Sequence, residues 1–182
     1  MTTYISLLRG INVGGRKKMR MTDLKSVYES LHFSEVITYL QSGNVIFRHD
    51  SSDHIMLQEQ IENSIEHHFG FTVSVIVRNF FQFKGIISNN PFVKRKEAIN
   101  RLYISFLSGE PEEERLNNIM KLNFSPDEFI PVEREIYLFC PASYGKTKLS
   151  NNFFESKLKL TATSRNWKTV TELFRLASSF EL

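Results

Sequence analysis

The chain is poor in cysteine and in long apolar runs, and each shortage excludes a class of protein. Cys140 is the single cysteine among 182 residues, so neither an intrachain disulfide nor a cysteine-based zinc site can form. The longest apolar runs, such as those at 75–77 and 138–140, have the length of a strand and cannot span a bilayer. The amino terminus lacks the basic start and the apolar stretch of a signal peptide. These absences predict a cytoplasmic protein without membrane association.

Metal ligands and nucleophiles are also scarce. The five histidines form no i,i+4 pair and accompany no carboxylate pattern typical of a metal site. No histidine can be placed beside Ser42 to act as its base, and nothing near Cys140 would lower the pKa of its thiol. The sequence therefore predicts no metal and no cofactor, and it leaves the catalytic residues unassigned.

The remaining composition is that of an ordinary globular protein. Hydrophobic residues make up 41% and charged residues 24%, and 23 Lys+Arg against 20 Asp+Glu give a net charge of +3. A chain of this size buries roughly 70% of its unfolded surface, so it needs no covalent staple. We expect one compact body or two small subdomains.

Hydrophobic periodicity predicts alternating strands and helices in the first half. Apolar residues recur every second position in the strands and at i, i+3, i+4 and i+7 in the helices. The predicted elements are a strand at 4–8, a helix that Thr22 caps, strands at 36–41 and 44–48, a helix that Ser52 or Asp53 opens and Gly70 ends, and a strand at 72–78. This β-α-β-β-α-β order is that of a ferredoxin-like unit, an antiparallel sheet with both helices on one face.

The second half repeats part of this order. We predict helices at 80–88, 111–120, 149–159 and 167–178, and strands at 101–107, 129–132 and 136–140. Leu116, Ile119 and Met120 form the predicted buried stripe of the helix at 111–120. The fold class is therefore α+β, with a second β-α-β-β-α-α unit and a division into domains 1–88 and 89–182. Internal duplication is one interpretation of this repeated order of elements. Chance recurrence of a common arrangement is the other, since no sequence identity between the halves is visible.

A glycine-rich basic loop follows the first strand. Between Arg9 and Arg20 it carries three glycines and five basic side chains but no acid. Glycines let backbone N–H groups approach an anion, and strand-to-helix loops direct such groups outward. The G-x-x-x-x-G spacing resembles a phosphate loop, but Arg16-Lys17 stands where that loop needs Lys followed by Ser or Thr. Anion contact is favoured over nucleotide hydrolysis, and a solvated loop whose glycines only make turns stays open as the alternative.

A second basic segment runs from Lys146 to Lys168. It contains six basic residues and one acid, Glu155. At its end, Arg165 and Lys168 flank a helix start that suits a phosphate or carboxylate. Simple capping by Ser164 or Asn166, which are good N-cap residues, is the preferred interpretation of this helix start.

Three motifs carry a resemblance to a known family. They are Leu8–Gly15 (LRGINVGG), Gln41–Val45 (QSGNV) and Thr163–Val170 (TSRNWKTV). Over nearly its whole length the chain resembles the uncharacterised bacterial domain of unknown function family 1697. The resemblance implies a bacterial α+β protein without an established activity or catalytic set, so no functional residue is carried over. Members often have a Ser-Lys pair after the Tyr-Gly turn, where this chain has Thr147-Lys148.

The leading hypothesis is an anion-binding module for nucleic acid or a phosphorylated small molecule. Its site would join the basic loop, the turn at 42–44 and the segment 146–168, because loops and helix starts expose functional groups. The candidate anion-binding residues are Arg9, Asn12, Gly14, Gly15, Arg16, Lys17, Lys18, Ser42, Asn44, Lys146, Lys148, Arg165, Asn166 and Lys168.

Two alternatives stay open. The first is an enzyme acting on a phosphorylated or acidic metabolite, with Arg9, Lys17 and Lys146 stabilising charge. The second is a protein-interaction domain that uses exposed aromatic side chains. RNA recognition on the sheet face is disfavoured, because Tyr4 and Phe47 do not match the aromatic pattern of RNA-recognition motifs. The sequence makes no prediction of oligomeric state.

Overall fold

In the computed structural model, which describes Met1–Glu181, the chain forms two units. The first contains Met1–Gly85 and the segment that begins at Glu172, and the second contains Ile86–Thr171. The predicted division into domains 1–88 and 89–182 stays a prediction, because the grouping of contacts does not show which segments fold independently.

The first unit contains the predicted order of strands and helices. Its elements are β1 (Thr2–Leu8), α1 (Met21–Ser30), β2 (Ser34–Tyr39), β3 (Asn44–His49), α2 (His54–Phe69), β4 (Val75–Asn79) and α3 (Phe80–Ser88), the last of which runs into the second unit. The strands form one sheet in the order β2-β3-β1-β4, and every neighbouring pair is antiparallel.

The two long helices of this unit begin differently. The side chain of Asp53 accepts hydrogen bonds from the N–H groups of Ile55 and Met56, both at 3.0 Å, so α2 has the predicted cap. The prediction that Thr22 caps α1 is wrong, because the helix begins at Met21 and Thr22 is already its second residue. The N-cap position of α1 is Arg20, whose side chain makes no capping hydrogen bond.

One face of the first sheet packs against α1 and α2. Alternate residues of the strands and the apolar stripes of both helices form a single buried cluster, which includes Tyr4, Leu8, Leu24, Val27, Tyr28, Val45, Phe47, Leu57, Ile61, Ile65, Val75 and Val77. The rings of Tyr4 and Phe47 stack with centroids 5.5 Å apart inside this cluster. Neither ring is therefore presented to a base on an open sheet face.

The second unit contains a sheet of the same design. Its elements are α4 (Pro91–Lys94), β5 (Leu102–Leu107), α5 (Glu113–Met120), β6 (Glu128–Val132), β7 (Glu135–Phe139), α6 (Asn151–Leu158), β8 (Ala162–Asn166) and the start of α7 (Trp167–Ser178). The strand order is β6-β7-β5-β8, again with antiparallel neighbours.

Two predictions for the second unit are corrected. The predicted α-α ending lacks β8, whose polar sequence ATSRN has no apolar alternation and which forms through its pairing with β5. The prediction that Met120 is buried on α5 is also wrong, since its side chain is 50% exposed at the end of that helix.

Two stretches at equivalent positions of the two sheets have similar sequences, contrary to the expectation that the halves share no visible sequence identity. The central strands β1 and β5, with the residues that follow them, read YISLLRG at Tyr4–Gly10 and YISFLSG at Tyr103–Gly109, five of seven residues being identical. Each stretch pairs on one edge with the third strand of its unit and on the other edge with the fourth. The halves therefore share sequence at the strand on which each sheet is built.

A second shared motif lies at the strand-to-helix junctions. Arg78-Asn79 ends β4 and Arg165-Asn166 ends β8, and an aromatic residue follows each pair. Tyr4 is registered with Asn79, and Tyr103 with Asn166. Each asparagine Oδ1 caps the following helix, accepting from the N–H three residues later at 2.9 Å and 2.8 Å. Matching register and matching caps extend the likeness of the units to individual hydrogen bonds.

We predict that the equivalent buried serines Ser6 and Ser105 contribute differently to stability. Ser6 shares a 2.8 Å hydrogen bond with the hydroxyl of Tyr28 and donates to the carbonyl of Val45, whereas within Met1–Glu181 the buried Ser105 hydroxyl has no partner. Ser6→Ala should lower the free energy of unfolding by about 1–3 kcal/mol, because it leaves the Tyr28 hydroxyl buried and unsatisfied. Ser105→Ala should be neutral or stabilising.

Urea unfolding followed by circular dichroism measures both changes, and each variant serves as the control for the other. Equal losses of stability would contradict the assignment of these two hydroxyls.

Candidate anion-binding sites

The predicted anion-binding residues divide between the units. Nine of them, from Arg9 to Asn44, belong to the first unit, and five, from Lys146 to Lys168, belong to the second. A single site that joins all fourteen stays a prediction, and the geometry of each group is described separately.

In the first unit, the loop between β1 and α1 is an ordered hairpin. The N–H of Arg16 donates to the carbonyl of Val13 at 3.0 Å, and the N–H of Asn12 donates to the carbonyl of Lys17 at 3.1 Å. Gly14 and Gly15 occupy the tip with φ values of +57° and +73°. Two successive positive φ values are what a two-residue hairpin turn requires, so the glycines here make the turn.

The Asn12 side chain ties this hairpin to the sheet. Its Oδ1 accepts from the N–H of Met19 at 2.8 Å, and its Nδ2 donates to the carbonyls of Met19 at 3.0 Å and Gln41 at 2.8 Å. These bonds join the two limbs of the β1–α1 hairpin to the neighbouring β2–β3 turn. Asn12 therefore positions the basic side chains, and its amide is engaged within the protein.

Gly43 lets the β2–β3 turn pack closely against the base of the hairpin. Its φ is +79°, and the N–H of Leu8 donates to its carbonyl at 2.8 Å. A Cβ at this position would lie 2.6 Å from Cδ1 of Ile11 and 2.8 Å from Cβ of Leu8. Only glycine satisfies both the backbone conformation and this spacing.

Ser42 and Asn44 belong to the internal structure of the same turn. Asn44 is buried, and its Nδ2 donates to the carbonyl of Tyr39 at 2.7 Å and to Oγ of Ser42 at 3.1 Å. The two predicted site residues thus contact each other and fix the turn that supports the hairpin.

Three of the five basic side chains of the loop have contacts within the first unit. Nζ of Lys17 donates to the carbonyl of Thr72 at 2.7 Å. The exposed guanidinium of Arg20 pairs with Asp23 at 2.8 Å, and hydrogen bonding to this carboxylate raises the pKa of Arg20. Arg9 is half-buried at the base of the loop. These contacts orient the loop and partly neutralise it.

Arg16 and Lys18 are the cations that the hairpin presents to solvent. Both are exposed, and within Met1–Glu181 neither has an acidic partner. Lys18 and Arg20 line a surface depression of about 450 Å³ at the start of α1, together with Asn12, Met19, Met21, Thr22 and Gln41. An anion in this depression would meet positive side chains and the first turn of the helix.

In the second unit, the predicted residues have different surroundings. Lys146, in a 3-10 turn at Tyr144–Lys146, and Lys148 are exposed. Arg165 is only 8% exposed, and its guanidinium donates to Oγ1 of Thr163 at 2.8 Å and to the carbonyl of Ser164 at 3.0 Å. Both of these acceptors belong to its own strand.

A larger cavity lies at the start of α7, within the second unit. Its volume is about 690 Å³, and its lining residues are Ile99, Asn100, Tyr103, Asn166, Trp167, Lys168 and Thr171. Sequence reasoning named Asn166 and Lys168 but missed Tyr103, because the pairing of β8 with β5, which registers Tyr103 with Asn166, was not foreseen.

Among the described residues, little supports a nucleophilic cysteine or a metal-binding site. Cys140 is fully buried, and burial raises the pKa of its thiol to about 11. Across Met1–Glu181, no group of three His, Cys, Asp or Glu side chains could hold a metal ion. Over the same residues, no helix combines the length and apolar character needed to cross a bilayer.

We predict that Gly43→Ala destabilises the protein more than Gly14→Ala does. Both positions have positive φ, which costs a non-glycine residue about 1 kcal/mol. An added Cβ at Gly14 meets nothing within 4 Å, whereas at Gly43 it would overlap Ile11, and such overpacking costs about 1–3 kcal/mol more. Chemical unfolding of both variants measures the difference, and equal losses would contradict the close contact.

We also predict that the Cys140 thiol is unreactive in the folded protein. A pKa near 11 gives about 100-fold less thiolate at pH 8 than an unperturbed cysteine has. Modification by a chromogenic disulfide reagent should be slow in buffer and fast in denaturant. Rapid modification of the folded protein would contradict the burial of this side chain.

Comparison with known proteins places the chain among relatives without an assigned activity. A model of the family described as "Protein of unknown function (DUF1697)" matches residues 1–137, which confirms the predicted family. The match contains the motifs at Leu8–Gly15 and Gln41–Val45, and the motif at Thr163–Val170 lies outside it. The solved structure of the conserved bacterial protein SP0830 from Streptococcus pneumoniae is similar, with a TM-score of 0.76 and 26% identity. The match covers 97% of this chain and 98% of that one. No curated protein matches the chain.

Proposed function

Because the chain belongs to the family described as "Protein of unknown function (DUF1697)", which assigns no activity, we propose a function from its own surface: the first unit binds nucleic acid through backbone phosphates. The observation that carries this proposal is the braced β1–α1 hairpin, which holds the exposed cations Arg16 and Lys18 in solvent. A rigid basic projection contacts phosphate without first having to become ordered.

The chemistry of the hairpin suits a phosphate group. Guanidinium and ammonium groups form charge-assisted hydrogen bonds to phosphate oxygens, and Arg16 and Lys18 lie two residues apart on one limb of the hairpin. The depression beside them includes the start of α1, where no side chain caps the helix. Exposed backbone N–H groups at such a helix start add to the attraction for an anion.

An extended polyanion fits this surface better than a small metabolite does. Small ligands are bound in concave sites that bury most of their surface, whereas the exposed Arg16 lies outside the depression that Lys18 lines. Affinity for nucleic acid can instead accumulate from several phosphate contacts, each of which releases counterions. The proposed binding is therefore independent of base sequence and sensitive to salt.

The fold favours contact with nucleic acid through loops over contact through the sheet face. We classify both units as ferredoxin-like, on the strand orders β2-β3-β1-β4 and β6-β7-β5-β8 with antiparallel neighbours. In the first unit the aromatic residues of the central strands, Tyr4 and Phe47, belong to the helix-packed core. Lys146 and Lys148 of the second unit are also exposed, and we propose that they contact phosphate independently of the hairpin.

We predict that neutralising the hairpin weakens binding and flattens its salt dependence. Fluorescence anisotropy of a labelled mixed-sequence single-stranded RNA measures affinity over a series of salt concentrations. Loss of two phosphate contacts in the double variant Arg16→Gln/Lys18→Gln should reduce the slope of log K against log salt by about 1.4. The matched control is Lys94→Gln/Lys157→Gln, which removes the same charge from exposed positions of the second unit and should keep the slope.

Three results would overturn the proposal. The first is the absence of RNA and DNA binding at low salt, and the second is an equal effect of the hairpin variant and its control. Displacement of the RNA by inorganic phosphate at the same phosphate concentration would also overturn it, because the site would then be one for a small phosphorylated ligand.

A further inference from the structure

We propose that the cavity at the start of α7 binds a small aromatic anion of the size of a nucleoside monophosphate. This inference goes beyond phosphate-backbone binding by the first unit. Every residue that lines the cavity belongs to the second unit, and none belongs to the β1–α1 hairpin.

The volume of the cavity suits a small molecule. At about 690 Å³ it falls within the roughly 300–1,000 Å³ that ligand sites of folded proteins occupy. A mononucleotide fits such a space with room for bridging water. The depression beside α1 is smaller, at about 450 Å³.

Aromatic side chains form part of the cavity wall. Trp167 is 5% exposed, and Tyr103 is half-buried at its register position opposite Asn166. The ring of Tyr103 stacks on that of Tyr144 with centroids 4.8 Å apart and an angle of 27° between the rings, which fixes its orientation. Fixed aromatic surfaces bind planar rings by stacking, with little dependence on the identity of the ring.

The polar groups of the cavity favour a negative ligand. Among the described residues that line it, Lys168 is the one with a charged side chain, and none is acidic. Oδ1 of Asn166 already accepts from the N–H of Thr169 at 2.8 Å, so the atom that Asn166 retains for a ligand is the donor Nδ2. The side chain of Asn100, which also lines the cavity, supplies a further amide. An ammonium and amide donors beside an aromatic wall match a planar ring that carries a phosphate or carboxylate.

The chain carries its own reporter for this site. Trp167 is the single tryptophan in the sequence and lines the cavity, so its fluorescence responds to a ligand that enters. The probes are AMP, GMP, CMP and UMP, each titrated into the full chain. Adenosine and inorganic phosphate, the two components of AMP, are titrated separately. Free N-acetyltryptophanamide controls for absorption of light by the nucleotides.

We expect a saturable change in Trp167 fluorescence with at least one of the four nucleotides. The corresponding nucleoside should bind about tenfold more weakly, because it lacks the charge-assisted contact to Lys168. Inorganic phosphate alone should produce no saturable change, since it cannot use the aromatic wall.

Variants separate the two parts of the site. Lys168→Gln should weaken nucleotide binding by about tenfold and leave nucleoside binding unchanged. Tyr103→Leu should weaken both, and Tyr103→Phe should retain both because the ring remains. Lys157→Gln, at an exposed position of α6 outside the cavity, is the matched control and should change nothing. Thermal unfolding by circular dichroism verifies that each variant is folded.

Three outcomes would overturn the inference: no saturable signal with any of the four nucleotides, equal binding of nucleotide and nucleoside, or equal effects of Lys168→Gln and Lys157→Gln. The hairpin variant Arg16→Gln/Lys18→Gln should leave the Trp167 titration unchanged. Failure of this inference is therefore distinguishable from failure of nucleic-acid binding by the first unit.

Discussion

Each unit depends on a central strand that is hydrogen-bonded along both edges. β1 pairs with β3 and β4, and β5 pairs with β7 and β8, in antiparallel register throughout. Because every backbone polar group of a buried strand must find a partner, a strand placed between two others is the position of greatest constraint in a small sheet. The shared YIS stretch lies on these two strands, where a change of register would move every side chain to the opposite face.

The same scaffold carries loops of opposite charge. The loop after β1 is the basic hairpin, whereas the loop after β5, from Ser108 to Glu112, contains two glutamates and no basic residue. Internal hydrogen bonds set the shape of the basic hairpin, and the charge at its tip is not needed for that shape. The two halves of the chain can therefore have the same architecture and different ligands, since surface loops tolerate change that the sheet does not.

Buried polar side chains make the strand-to-helix junctions rigid. Arg78 and Arg165 occupy equivalent register positions and are 2% and 8% exposed. Arg165 donates hydrogen bonds to Thr163 and Ser164 of its own strand, and Arg78 donates to the carbonyl of Val77. A buried guanidinium needs such partners, and together with the asparagine cap it fixes where the next helix begins. In the second unit that helix start forms one side of the cavity.

The sequence by itself determined the elements whose residues alternate or repeat locally. The order of β1 to α3, the Asp53 cap and the buried Cys140 follow from periodicity and residue type, and those signals reside in short windows. The family resemblance also lay in contiguous motifs.

Only the tertiary structure decided what depends on partners distant in the chain. The polar strand β8 has no apolar pattern and forms because β5 offers it an edge. Asn12 appeared to be a ligand-binding residue, yet its hydrogen bond to Gln41 joins positions 29 residues apart. The cavity containing Tyr103 and Trp167 likewise requires a strand and a helix start that are far apart in sequence. Contacts of this kind are set by the packing of the whole sheet, and no local window of the sequence contains both partners.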